Sequence, residues 1–110
     1  MYTYADSVVR TLVPAVLDVA GLKSIALQLR NLGPLSNPQD AAIACIILAN
    51  IRKESVSIEP EWYELINEIS FWAHGAVQAA LKNDRKLFKY CMSQVRNQMD
   101  SGMTIISLMN

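Results

Sequence analysis

The sequence predicts an all-α fold: a compact single-domain bundle of four to five helices around a central apolar helix at about residues 38–52. Three observations predict it. Apolar residues recur every three to four positions along most of the 110-residue chain. Helix starts and stops punctuate that pattern at intervals suited to short loops. Strand-like alternation is absent, except over residues 103–109. With 52% hydrophobic and 18% charged residues, the chain has ample apolar surface for one core, and residues 1–110 read as a single helical domain.

The first helix follows from Val8/Val9, Leu12/Val13, Val16/Leu17 and Ala20, which share a face. Arg10, Pro14 and Asp18 fall opposite, so the proline is expected on the solvent side, bending the helix. Thr3 followed by Asp6 reads as a weak cap. After the break at Gly21, Leu22, Ile25, Ala26, Leu29 and Leu32 continue helical spacing until Gly33-Pro34. Asn37-Pro38-Gln39-Asp40 is the sharpest boundary. Asparagine caps, proline takes the first helical position, and aspartate meets the positive end of the dipole. The run Ala41 to Ala49 is apolar all round, which predicts a helix buried on every side.

Ser57-Ile58-Glu59-Pro60-Glu61 opens the next helix, with a core stripe of Trp62, Leu65/Ile66, Ile69, Trp72/Ala73, Ala76 and Ala79/Ala80. Its small residues, Gly75 among them, permit close approach of another backbone. Leu87/Phe88, Cys91, Val95 and Met99 carry the last stripe. Asn83-Asp84 lacks a glycine or proline, so residues 60–99 read either as a hairpin or as one long bent helix. Gly102 is expected to end this helix, leaving Met103, Ile105, Ile106, Leu108 and Met109 as an apolar tail for self-association.

Several functions are disfavoured by what the chain contains. The start Met1-Tyr2-Thr3-Tyr4-Ala5-Asp6 has no basic region of the kind that opens a secretory signal. The longest apolar run falls far short of the roughly 20 residues that span a bilayer. A cytoplasmic protein with no membrane partner is the resulting expectation, and Cys45 and Cys91 read as reduced core thiols. One histidine, His74, has neither the spaced partners of a di-metal bundle nor those of a zinc site, so no metal and no cofactor are expected. The four glycines are too dispersed to cradle a phosphate. A helix-turn-helix over residues 22–52 fails because Ala41 to Ala49 offers no polar side chain to a groove. No catalytic set emerges, and a non-enzyme is expected.

Charge is unevenly placed although ten acids balance ten bases. From Glu54 to Glu68 there are five acids and no base, with Glu61, Glu64 and Glu68 in a stripe. From Lys82 to Arg96 there are five bases and one acid. Acids at a helix start are favourable, whereas Arg85, Lys86 and Lys89 would each oppose the dipole by about 0.3–1 kcal/mol if a helix begins at Asp84. Pairing with the acidic stripe, or simple solvation, is the expected resolution. The leading expectation is therefore a helical interaction protein that binds and modulates another protein, as a homodimer. Glu61, Glu64, Glu68, Arg85, Lys86, Lys89 and Arg96 are its candidate partner-binding residues. Compact chains of this style occur among phage and mobile-element accessory factors. The rival expectation is an anion, nucleotide or nucleic acid held by Arg85, Lys86, Lys89 and Arg96, with Phe88 and Tyr90 offering stacking.

Overall fold

The computed structural model describes residues 2–55 and 58–109, with side chains described to residue 100. The described residues form helices and no strand. A first rod comprises α1 (Tyr2–Ser7), a wide π segment (Val8–Leu12) and α2 (Val13–Val19). It is followed by α3 (Lys23–Arg30), α4 (Pro38–Glu54), α5 (Pro60–Leu81) and α6 (Arg85–Met109). The all-α bundle is thus present as five helical rods.

The π segment changes which residues of the first rod face inward. Val13 N–H donates to the Val8 carbonyl five residues back. The wider turn moves backbone aside for Pro14, whose ring would clash with the carbonyl four residues earlier in a regular helix. One extra residue in the turn rotates everything after it by about 100°, one residue's share of a 3.6-residue turn. Pro14 therefore lies buried beside Val13 and Leu17, not on the solvent face, while Leu12 is left exposed. Asp6 is not a helix cap either. Its Oδ1 accepts the Leu35 N–H at 2.9 Å and ties the α3–α4 connection to the first rod.

The Asn37-Pro38 boundary forms as the residues dictate: Gln39 N–H donates to Asn37 Oδ1 at 3.0 Å, and α4 starts on Pro38. Asp40 adds a second tie, its Oδ1 accepting the Gly33 N–H at 3.1 Å. The helix so begun is nevertheless not the centre of the molecule. Only one face of α4 is buried, through Ala41, Ala44, Leu48 and Ile51. Ile46 points the other way and is 62% exposed. The small alanines let α4 lie close to its neighbours, and Ile43 and Ile46 are turned outward while Ile51 is buried.

The central helix is α5, which packs against α1, α2, α4 and α6. It buries Trp62, Leu65, Ile66, Ile69, Ala73, Ala76, Val77, Ala79 and Ala80, together with Ser70, whose hydroxyl donates to the Ile66 carbonyl. Ser57 lies outside the described residues; Glu59 precedes the helix and Pro60 occupies its first position. Buried Ser55 locks α4 to α5: its hydroxyl donates to the Arg52 carbonyl and accepts from Asn67 Nδ2 at 3.2 Å.

Residues 60–99 form a hairpin. Asn83 adopts φ 56°, and the Asp84 N–H reaches back to the Ala79 carbonyl at 2.9 Å. This closes α5 in the left-handed manner usual for glycine, with asparagine as the tolerated substitute. Asp84 then caps α6 by accepting the Leu87 N–H. Substituting Asn83→Val should cost about 1–2 kcal/mol, the strain of a branched residue in this conformation, whereas Asn83→Gly should not destabilise. Chemical denaturation of both variants checks the order.

Gly102 does not end α6, which runs on to Met109. A tail of this length could not nucleate a helix alone, but extending an existing one avoids nucleation, and a single glycine costs only about 1 kcal/mol. The side chains of residues 101–109 lie outside the described set, and with them the expected self-association through Met103, Ile105, Ile106, Leu108 and Met109.

Candidate functional site

Two surfaces combine concavity, exposed apolar groups and charge. The first lies where α4 meets α5. On α4, Ala42, Ile43, Ile46 and Ala49 occupy successive turns of the outward face, and all four are exposed. Ala49 continues this face into a groove of about 650 Å³. Leu48 and Ser70 are its buried residues, Arg52 lines it from α4, and Glu64, Glu68, Phe71 and His74 line it from α5. Phe71 is 65% exposed, with Trp72 set against it edge-on at 5.0 Å. Trp72 is itself held by Nε1 donating to Glu68 Oε2 at 3.2 Å. An uncovered apolar ridge thus joins an aromatic side chain across a groove lined on the α5 side by Glu64 and Glu68. Glu61 is exposed but does not line the groove.

The second surface lies between the first rod and α6. A cavity of about 510 Å³ is lined by Tyr4 on one wall and by Arg85, Lys89 and Arg96 on the other, with Phe88, Met92 and Ser93 completing it. Three of the four basic residues singled out from sequence are brought together here, and Lys86 is not. The expected pairing with the acidic stripe does not form. Among the described residues, no ion pair joins Glu61, Glu64 or Glu68 to this segment; the ion pairs seen are Asp6–Arg10 and Asp18–Arg30. The expected aromatic partners also differ. Phe88 is buried in the core, and Tyr90 stands on the opposite flank of α6 against Trp72, ring centroids 5.4 Å apart. Tyr4, which the sequence reading passed over, is 67% exposed at this cavity.

Thiol chemistry has little support. Burial raises the pKa of Cys45, while burial and then the Asp84 carboxylate raise that of Cys91, so both favour the protonated form that is a poor nucleophile. The two cysteines are free, and no hydrogen bond links either thiol to His74 among the described residues. No cluster of metal-ligating side chains occurs among the described residues. Among those residues, no helix is long and apolar enough to cross a membrane.

The features missed from sequence had partial signals. Phe71 falls between Ser70 and Trp72, off the stripe that defines the buried face of α5, and a large aromatic off-stripe marks an exposed one. Ile43 and Ile46 carried no such signal, because the run from Ala41 to Ala49 that holds them is apolar throughout. No protein-family model, no curated protein and no solved structure matches this chain.

Proposed function

We propose that this chain is a non-enzymatic helical interaction protein that works in the cytoplasm by holding an amphipathic helix of another protein. The observation that carries the reading is the uncovered face of α4, where Ala42, Ile43, Ile46 and Ala49 lead into the groove with exposed Phe71. Scattered exposed apolar residues are ordinary, but a contiguous ridge beside a groove is the usual form of a helix-docking surface. The charges at the groove set the chemistry of the occupant. Glu64 and Glu68 lie on the α5 side and Arg52 on the α4 side. A helix with an apolar stripe and bases along the edge over α5 complements that arrangement. Free Cys45 and Cys91 agree with a reducing compartment.

The test uses two labelled helical peptides with the same leucine stripe, one flanked by lysine along an edge and the other by glutamate, titrated by fluorescence anisotropy. The lysine peptide is expected to bind with a Kd of order micromolar, and the glutamate peptide at least about tenfold more weakly. Ile46→Asp and Phe71→Ala should each lower the affinity about tenfold or more, while Lys89→Glu on the far surface should not. Equal binding of the two peptides, or none of either, overturns the reading. So does a homodimer that Ile46→Asp dissociates while neither peptide binds, because the face then belongs to a second copy.

A further inference from the structure

We infer that the cavity between Tyr4 and α6 is a separate site for a phosphate ester bearing an aromatic base, the chemistry shared by a free nucleotide and a single-stranded nucleic acid. Arg85, Lys89 and Arg96 lie along one flank of α6 and line the same concavity, to which no acid among the described residues contributes. None of the three is ion-paired among the described residues, although the chain carries as many acids as bases. Their placement runs against folding stability. Arg85 and Lys89 stand in the first turns of α6, where the helix dipole repels cations, and their mutual repulsion adds to the cost. A bound phosphate reverses both effects, since anions are favoured at that end and neutralise the bases.

The opposite wall supplies the other half of the ligand. Tyr4 presents an exposed ring, and its position is set by the first rod, which Tyr2 anchors to α5 by a hydroxyl donated to the Ala80 carbonyl at 3.4 Å. A base stacked on Tyr4 would place its phosphate toward the cationic row. That row extends about 16 Å from Arg85 to Arg96, at 1.5 Å of rise per residue, which is longer than a single phosphate requires. The site thus reads as a strip of phosphate contacts with one stacking position.

The experiment measures binding of a fluorescent oligothymidylate of about 12 nucleotides, a length within the usual single-strand site size, with ADP as competitor. At low salt, binding is expected to weaken with a log–log salt slope of about −2, the value for three neutralised phosphates on a single strand. Lys89→Glu and Arg96→Glu should each reduce affinity about tenfold or more, and Tyr4→Ala about tenfold through lost stacking. Lys86→Glu makes the same charge change outside the cavity and should have a clearly smaller effect. All these side chains are exposed, and an unchanged helical circular dichroism spectrum confirms that each variant folds. Competition by ADP at comparable concentration assigns the site to free nucleotides, and its failure to compete assigns it to the strand; either outcome supports the inference. No binding at low salt overturns it. So does a loss with Lys86→Glu equal to that with Lys89→Glu, or indifference to Tyr4→Ala, since diffuse charge would then suffice.

Discussion

Ile66→Ala and Ile69→Ala are each expected to destabilise the protein by about 2–5 kcal/mol, while Ile46→Ala changes stability by less than about 0.5 kcal/mol. The contrast follows from position rather than residue type. Ile66 and Ile69 are each 1% exposed on α5, the helix that touches four others, so truncating either leaves a cavity with no route for collapse. Ile46 is 62% exposed, so its removal creates no internal void. A loss of about 2–5 kcal/mol is severe against the total of about 5–15 kcal/mol that is usual for folded domains. Urea denaturation of the three variants measures it directly. A large loss at Ile46 with small losses on α5 would restore α4 as the central helix and refute the packing described above.

Gly75→Val is expected to cost about 1–3 kcal/mol by overpacking the α5–α6 contact. A Cβ at Gly75 would sit 3.0 Å from Cys91 Sγ, tighter than ordinary van der Waals contact. Cys91 is itself 2% exposed and cannot swing into solvent. A milder change isolates the cause. Alanine is favoured over glycine in a helix by about 1 kcal/mol, so Gly75→Ala should gain that amount once the sulfur is gone. In the wild-type background, Gly75→Ala should be neutral or destabilising. In a Cys91→Ala background it should stabilise. A double-mutant cycle by thermal or chemical denaturation reads the coupling, expected between about 0.5 and 3 kcal/mol. Additive effects would show that the close approach of the two helices does not depend on this pair.

Much of the candidate surface could be anticipated from residue pattern, but not its grouping. The bases at Arg85 and Lys89 stood out because they oppose a helix start, Arg96 because it belongs to the same basic run, and the acids at Glu64 and Glu68 because they form a stripe. Which aromatic residue offers an exposed ring at the bases was not legible. Phe88 is close in sequence yet buried by the 3.6-residue period of α6, whereas Tyr4 is distant in sequence and arrives through packing of the first rod. The side of α4 left uncovered was equally hidden, because the run from Ala41 to Ala49 has no polar residue to mark its outward face.

Local chemistry alone determined the helical class, the Asn37-Pro38 start and the small-residue run on α5 that admits another backbone. Each depends on residues within a few positions of one another, through side-chain period, a capping hydrogen bond or the absence of bulk. The tertiary structure decided the rest: that α5 and not α4 is central, that the π segment turns Pro14 into the core, and that Tyr4 faces the cationic row. Those outcomes depend on which helices compete for the same buried volume. Ala41, Ala44, Leu48 and Ile51 took the inner face of α4, and Ile43 and Ile46 were left on the side where they meet solvent.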